Sequence, residues 1–416
     1  MTTTINNKHN KLNFSSEREQ SQACLNSAEH EKNQGRKVLN VPNLRFPEFE
    51  GEWEEYRIED ITENISSGKC KSHSSNGEYN LYGSTGIIGK TDEACYEGNL
   101  VLVARVGANA GFLQIINEPC GITDNTLIIK PQMVGAQYIY YYLQHFNLNR
   151  LIFGSGQPLI TGGMLKKVKV SLGNIQEQNK LTRLLSLLDE RIATQNKVID
   201  KLQSLIKGLQ DNLLDNPLWK KTYLRSFMQF FPTNSLSWEQ LSYEEGEIRN
   251  LHYGLIHGFQ TRGINSASLP MIKNEAIPKQ YTLCQVGDVA FADASEDTGE
   301  IAKSVEFVNT IEGDTICGLH TIHGRDIKNR TVIGFKGFAF NSCYFHNQIK
   351  RLAQGTKVFS ITANNLSSCY VYLPDFDTQK AIVELLKAYE EKLLVSKRLL
   401  ERHEKQKEYL LRQMFI

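Results

Sequence analysis

The residues with the most chemistry to offer sit in glycine-rich turns and in a run of cysteines and histidines after residue 316. Gly83-Ser84-Thr85-Gly86-Ile87-Ile88-Gly89-Lys90-Thr91 ends like a nucleotide phosphate loop, but that pattern needs a glycine five residues before Gly89 and finds Ser84. No strand-to-helix switch follows, so the stretch reads as a glycine-rich hairpin or loop through which backbone approaches a phosphate or a base edge. Phe153-Gly154-Ser155-Gly156 has the glycine content of a methyl-donor site. It follows a helical pattern, however, and no Asn-Pro-Pro-aromatic motif occurs anywhere. Asp375, Glu390 and Lys392 can be forced into a nuclease order, but Glu390 and Lys392 fall on a helical pattern where such residues are ordinary solvated charges. Cys317, His320 and His323, with Cys343 and His346, have spacings that suit zinc. Against zinc, residues three apart on an alternating strand face opposite sides, and His346 matches a histidine, His145, that has Tyr142 where the other has Cys343. Core cysteines and polar or nucleic-acid-facing histidines are expected there, with no metal.

What remains is binding chemistry. Lys69, Lys71, Lys90, Arg105 and Asn109 in the first part, and Lys273, Arg325, Arg351 and Lys357 in the second, are candidates for nucleic-acid contact. Arginine and asparagine can bind base edges bidentately, and lysine anchors phosphates. Ser84, Thr85, Ser295, Glu296, Asp297 and Thr321 are further polar candidates. Each lysine reads equally as a solvated surface charge, and Arg105, inside an apolar run, as a buried paired charge. The net charge of +1, from 47 basic and 46 acidic residues, neither announces nor excludes a nucleic-acid partner. Eight scattered cysteines without a CxxC pair, no signal peptide and no apolar run of spanning length point to a soluble protein of the cytoplasm.

These candidates must be positioned by something, and the most regular element is Ile175 to Leu214. Leu181, Leu185, Leu188, Ile192, Ile199, Leu202, Ile206, Leu209 and Leu213 follow alternating steps of four and three, interrupted only by Gln195. That spacing keeps one narrow seam facing a partner helix. Sliding the chain by 201 residues places Leu181 on Ile382, Leu185 on Leu386, Leu188 on Tyr389, Ile192 on Leu393 and Leu213 on Met414, and even Gln195 falls on Ser396. The second helix is more polar on this seam, with His403 and Lys407. The expected partners are therefore two helices of one chain in a pseudo-two-fold repeat, and homodimerisation is disfavoured.

Around the helices the sequence alternates differently. The first 40 residues lack sustained periodicity and read as a flexible extension, with order beginning near Val41. Short apolar runs between glycine turns predict strands at Tyr79–Tyr82, Asn99–Val106, Gly111–Ile116, Thr126–Ile129 and Val168–Leu172, with a helix over Ala136–Asn147. A second set follows at Gln285–Phe291, Ala302–Val308 and Ile316–Ile322, with a helix around Phe338–Gln348. Trp53-Glu54 recurs as Trp238-Glu239, and Gly98-Asn99-Leu100 resembles Gly287-Asp288-Val289. The 201-residue offset also pairs Gly154-Ser155 with Gly355-Thr356 and Ile160-Thr161 with Ile361-Thr362.

From Val41 to Ile416 the chain resembles the specificity (S) subunits of type I restriction-modification systems. The carriers are Asn43-Leu44-Arg45-Phe46-Pro47 with Trp53, the Tyr82–Gly89 loop, the Ile160-Thr161 and Ile361-Thr362 ends, and Leu172–Gln178 with Leu373–Gln379, where Gly173 departs from Pro374. The resemblance implies an α+β fold: two mixed α/β target recognition domains alternating with two long helices that pair as an antiparallel coiled coil. The corresponding division is a 1–40 extension, recognition domain 41–173, spacer helix 174–215, recognition domain 216–373 and spacer helix 374–416. It further implies a non-catalytic reader of a bipartite site on double-stranded DNA, one copy per complex, docked to two methyltransferase subunits and to restriction subunits. S-adenosylmethionine, ATP and Mg²⁺ belong to those partners, with no cofactor in this chain and no membrane. Docking is expected on Glu190, Arg191, Lys197, Lys201, Glu391 and Arg398. A helix of this length is about 60 Å long, so its extent would set the gap between half-sites. The competing class is a coiled-coil scaffold carrying two peptide- or glycan-binding modules.

Overall fold

The computed structural model describes residues 39–416 apart from 71–73, 75, 153–157, 260–262, 265, 310, 312 and 356. The expected extension, apart from its last two residues, therefore lies outside the described residues, as do Lys71, Phe153-Gly154-Ser155-Gly156 and Thr356. Among the described residues no helix is long and apolar enough to cross a membrane. The chain divides into two compact units, one holding the residues up to Arg191 with His403–Ile416, the other Ile192–Arg402.

Unit one contains β1 (Glu54–Arg57), β2 (Thr62–Ser67), β3 (Tyr79–Gly83), β4 (Gly86–Thr91), β5 (Leu100–Ala104), β6 (Leu113–Ile116), β7 (Cys120–Ile122), β8 (Thr126–Pro131), α1 (Ala136–Phe146), α2 (Gly162–Lys166) and β9 (Lys169–Leu172), and then the start of α3 (Ile175–Leu214). The strands form a four-stranded sheet, β2-β8-β5-β6, and a three-stranded one, β4-β3-β7, while β1 pairs with β9. Strand β5 is buried throughout because both of its faces are covered. Val101 and Val103 face a core with Tyr138 and Leu143 of α1, whereas Leu100 and Leu102 face Ile122 and Ile128.

Unit two contains the rest of α3, then β10 (Lys220–Tyr223), β11 (Met228–Phe231), β12 (Leu241–Ser242), β13 (Arg249–Leu251), α4 (Tyr253–Gly258), β14 (Gly263–Ile264), β15 (Met271–Ile272), β16 (Val289–Ala292), β17 (Ala294–Ser295) and β18 (Ser304–Phe307). There follow β19 (Thr315–Cys317), β20 (Thr321–Asp326), α5 (Phe335–Ala339), α6 (Cys343–Leu352), β21 (Phe359–Ser360), α7 (Ala363–Ser367), β22 (Tyr370–Leu373) and α8 (Phe376–Met414), whose last turns belong to unit one. A five-stranded sheet, β11-β20-β16-β18-β14, stands beside a four-stranded one, β12-β15-β13-β19, and β10 pairs with β22. Strand β16 is again two-faced, with Val289 and Phe291 in one core and Ala290 and Ala292 in another.

The long helices α3 and α8 pack together inside each unit. In unit one Leu181 and Leu185 share a core with Met414 and Phe415, and Lys407 reaches Asp189 at 2.6 Å. In unit two Leu214 joins Ile382 and Leu386, and the Gln195 amide donates to the Ser396 carbonyl at 3.1 Å. The polar break foreseen in both helices is thus a contact between its own two members.

The helix starts explain in physical terms why similar polar residues recur at the two helix junctions of the chain. Asn174 accepts from the Glu177 amide at 2.9 Å and Asp375 from the Thr378 amide at 2.9 Å, so each is an N-cap. Gln178 donates to the Gly173 carbonyl at 2.8 Å, and Gln379 to that of Pro374 at 3.0 Å. The buried Glu177 carboxylate receives Arg45 through Nε at 2.7 Å and Trp53 Nε1 at 3.1 Å. A β-carbon on Gly173 would stand 2.5 Å from Glu177 Oε2 and 2.7 Å from Trp53 Nε1. Gly173 is therefore the residue that lets this cluster close, and the start of α3 is held by it.

Four sequence-based expectations fail for tertiary reasons. The tryptophan before the strand that closes onto β22 is Trp219, packed against the core, while Trp238 is 46% exposed in a separate turn. Ile316–Ile322 is not one strand, because Gly318-Leu319-His320, with His320 at φ 53°, carries the chain from one sheet to another. The helix around Phe338–Gln348 is two, α5 and α6, separated where Ser342 caps α6 by accepting from the Phe345 amide. The strand expected from Gln285 begins at Val289, after a turn with Gly287 at φ 88°.

Gly173→Ala should destabilise unit one by about 1–3 kcal/mol through overpacking, seen as a lower denaturant midpoint; an unchanged midpoint would show that Trp53 and Glu177 are free to yield. The His145 ring, half-buried with Nδ1 2.8 Å from the Leu411 carbonyl, is held below its ordinary pKa by burial. The unfolded chain then binds a proton that the folded chain refuses, so stability is full above about pH 6.5 and falls as pH drops below it. Melting temperatures from pH 7.5 down to 5.5 should decline, and His145→Gln should flatten that decline.

Candidate nucleic-acid interface

Unit one gathers most of its predicted contact residues at one end, and backbone bonds show how. The β3–β4 hairpin turns through Ser84 and Thr85, with Gly83 paired to Gly86, whose φ of 130° suits only glycine. A strand, not a helix, follows this turn, which removes the nucleotide-loop reading by structure as well as by spacing. Gln114 of β6 donates to the Gly83 and Ser84 carbonyls at 3.1 and 3.2 Å, so the tip lies against the start of β6. The Thr123 amide reaches the Tyr82 carbonyl at 3.0 Å and the Arg105 amide that of Asn125 at 2.9 Å, which draws in the β7–β8 turn and the β5–β6 loop. Gly68 donates to Thr126 at 3.0 Å, placing exposed Lys69 beside the same turn.

Lys69, Ser84, Thr85, Arg105 and Asn109 are thus brought together. Asn109 and Thr85 are exposed and Ser84 half-buried. Arg105 is half-buried, and its Nε is a buried donor with no hydrogen-bond partner. Lys90 is exposed but sits opposite Asn80, at the far end of the hairpin from its tip. The neighbours Asn125, Ile87, Ile88 and Phe112 were not among the candidates; the last three are exposed apolar side chains at 57%, 47% and 49%. Their only signal was an apolar residue in a polar loop.

In unit two the candidates divide. Ser295 on β17 pairs with Phe359 of β21, and exposed Lys357 precedes that strand. Arg351 is exposed at the end of α6, and Lys273 is half-buried in a loop bonded to Gln240. Two candidates are corrected. Thr321 is buried, with its hydroxyl donating to the Gly318 carbonyl at 2.6 Å. Arg325 grips the buried Asp288 through Nε at 2.8 Å and Nη2 at 2.7 Å, and Nη2 also donates to the Leu283 carbonyl. Asp288 stays below the ordinary carboxylate range, because Arg325 and His323 outweigh the burial that would raise it. A guanidinium so engaged is a structural ion pair.

Unit two offers instead an aromatic series that sequence reasoning missed. Trp238 stacks on His252 at 4.5 Å, His252 on Tyr253 at 4.7 Å, and Tyr253 meets His320 at 5.3 Å. His320 in turn contacts Asp293 at 3.1 Å. The loop that follows carries Glu296, Asp297 and Glu300, acids that suit base amino groups and repel phosphates. The expected docking residues Glu190, Arg191, Lys197, Lys201, Glu391 and Arg398 are all exposed. Beside them, unforeseen, Val198, Leu205, Val395 and Leu399 are exposed apolar residues of the long helices.

The zinc candidates also rearrange. His320 turns to Asp293, and Cys343 and His346 lie on α6, but Cys317 and His323 converge with Cys284, a residue the spacing argument had passed over.

Comparison with known proteins now bears on these surfaces. The family described as "Type I restriction modification DNA specificity domain" matches residues 50–204. The MjaVIII type I restriction enzyme specificity subunit of Methanocaldococcus jannaschii is 25% identical over 404 residues, covering 88% of this chain and 92% of that one. Over nearly its whole length the chain is similar to type I restriction-modification specificity subunits. The EcoprrI specificity subunit of Escherichia coli is 25% identical over 112 residues, 27% of this chain and 28% of that one. Two solved structures share the fold. The type I S subunit from M. genitalium aligns with TM-score 0.59 at 16% identity, over 90% of this chain and 99% of that one. A chain from a study of assembly and conformational transition of the type I system aligns at 0.54 and 10% identity, over 86% and 96%. The S-subunit family supplies DNA sequence specificity as its non-catalytic component, and its matched region contains every predicted contact residue of unit one.

Arg325→Ala should leave Asp288 buried with one partner fewer and cost about 3 kcal/mol of stability. Denaturant unfolding of the purified chain measures this; an unmoved midpoint would return Arg325 to the surface candidates.

Proposed function

We propose that this chain reads a bipartite site on double-stranded DNA, one half with the recognition domain at 41–173 and the other with that at 216–373, while the helices at 174–215 and 374–416 pair as an antiparallel coiled coil. In this reading the two domains are members of a pseudo-two-fold repeat, and the helices set the distance between half-sites. The observation that carries it is the convergence of Lys69, Ser84, Thr85, Arg105 and Asn109 at one end of unit one, inside the region matched by the DNA specificity family. Thr161 and Thr362 support the repeat, since each caps a short helix of identical length by accepting the third amide, at 3.3 and 3.2 Å.

The roles divide by chemistry. Lys69 and Lys71 neutralise phosphate, Arg105 and Asn109 address base edges, and Ser84 and Thr85 bring backbone and hydroxyl groups to the strand. Lys90 contributes at the margin. In the other domain Ser295, Arg351, Lys357 and Lys273 take these parts, and the Trp238–Tyr253 aromatic series offers flat apolar faces. No chemistry on DNA is assigned to this chain. Methylation with S-adenosylmethionine, and cleavage with ATP and Mg²⁺, reside in two methyltransferase subunits and in restriction subunits. These dock on the exposed helix faces around Glu190, Arg191, Lys197, Lys201, Glu391 and Arg398, with the apolar Val198, Leu205, Val395 and Leu399 supplying the buried contact. One copy of this chain serves each complex, in the cytoplasm.

The test is reconstitution with methyltransferase subunits followed by mapping of methylated sites. Exchanging 41–173 for the corresponding region of another family member should change one half of the methylated sequence, and a change in both halves overturns the modular reading. Asn109→Ala with Arg105→Ala should weaken specific binding about tenfold or more at fixed salt, at roughly 1–3 kcal/mol per base contact. Binding must also weaken steeply as salt rises; retention that ignores salt favours a peptide- or glycan-binding scaffold.

A further inference from the structure

Three soft or borderline donors meet in the interior of unit two where no role in DNA reading requires them. Cys284, Cys317 and His323 are all buried, and one ligand atom from each lies within 4.8 Å of the others. They arrive on separate segments. Cys284 is fixed by its amide donating to the Thr315 carbonyl at 2.8 Å, Cys317 ends β19, and His323 belongs to β20 in the neighbouring sheet. The turn Gly318-Leu319-His320 between those strands brings together residues six apart, which one continuous strand would hold about 20 Å from each other.

We propose that Cys284, Cys317 and His323 form a site for one Zn²⁺ ion that staples the two sheets of unit two. The two sulfurs stand 3.6 Å apart. Thiolates each about 2.3 Å from a tetrahedral zinc stand about 3.8 Å apart, and a disulfide would need about 2.05 Å, so the thiol–thiol hydrogen-bond distance seen here is one that a shared ion can take over and a disulfide cannot. His323 carries the support that metal-bound imidazoles require: Nε2 is 2.7 Å from Asp288 Oδ2. In the tautomer that donates from Nε2 the lone pair is on Nδ1, which is the atom the proposed site would use. Binding forms two S–Zn bonds and one N–Zn bond, and the two thiol protons pass to solvent. The three donors leave a fourth position for a water ligand, and a cavity of about 360 Å³ lined by Thr233, Asn234, Gln280 and Thr282 together with Cys317 and His323 gives it room.

Charge agrees with burial. Two thiolates neutralise the ion, and the remaining Asp288 carboxylate is neutralised by Arg325 at 2.7 Å, so the occupied site adds no net charge to the core. The inference concerns the integrity of unit two and stands apart from how the chain reads DNA.

The full chain, purified in reducing, chelator-treated buffer and dialysed against zinc sulfate, should hold about one zinc per chain by elemental analysis. Substituting Co²⁺ should give thiolate charge-transfer absorption with the intense visible bands of a tetrahedral ion. Cys284→Ser and Cys317→Ser should each lower zinc affinity by tenfold or more, while Cys343→Ser leaves it unchanged. Should the serine variants fail to fold, the unaltered chain still decides: zinc must shield Cys284 and Cys317, and not Cys343, from alkylation in peptide maps. No stoichiometric zinc, no cobalt spectrum, unprotected thiols, or recovery of the two cysteines as a disulfide would overturn the proposal.

Discussion

Everything in this chain hangs on covering the apolar stripe of two long helices. A 40-residue helix with leucine or isoleucine at every third or fourth position cannot leave that stripe in water. In unit one the stripe is closed by the end of α8 and by α1, with Leu181, Leu185, Met414, Phe415 and Tyr138 in a single core. In unit two Leu214, Ile382 and Leu386 join Phe338 and Phe345. Each unit therefore has one core where its sheet packs on the long helices and another in which no long-helix residue takes part.

The anchoring at the helix starts follows from this. Glu177, 2% exposed, is a charge that folding can bury only with partners, and Arg45 and Trp53 supply them. The same contact explains the Asn43–Pro47 lead: Leu44 bonds to the Gln413 carbonyl at 2.8 Å, Arg45 to Glu177, and Phe46 lies 4.5 Å beneath the Lys180 ammonium. With the strands thus tied to a rigid floor, the turns at their far ends are free to carry polar and exposed apolar side chains that packing does not need. The clustering of Lys69, Arg105 and Asn109 is the result.

Unit two shows how closely structural and binding chemistry can resemble each other in a sequence. Arg325, Asp288 and His323 form a buried, charge-balanced group. Trp238 and Tyr253, ordinary core-forming types, instead line up partly exposed beside two histidines. Arg325 read as a contact residue and Trp238 only as a repeat marker, because residue type alone does not report which side of a strand faces water.

The sequence by itself determined the two long helices and the match of Gln195 with Ser396, since helical periodicity is a local property that survives without tertiary information. It also determined a strand around Val101, because uninterrupted apolar runs admit few other fates, and it carried enough motif to point to the family. Only tertiary structure decided where strands end and which segments meet. The left-handed His320 splits an apparent strand, Trp219 and not Trp238 precedes β10, and Cys284 joins Cys317 across 33 residues. Those outcomes depend on long-range pairing between sheets, and a pattern with a period of two residues cannot register a chain that changes sheets in the middle of it.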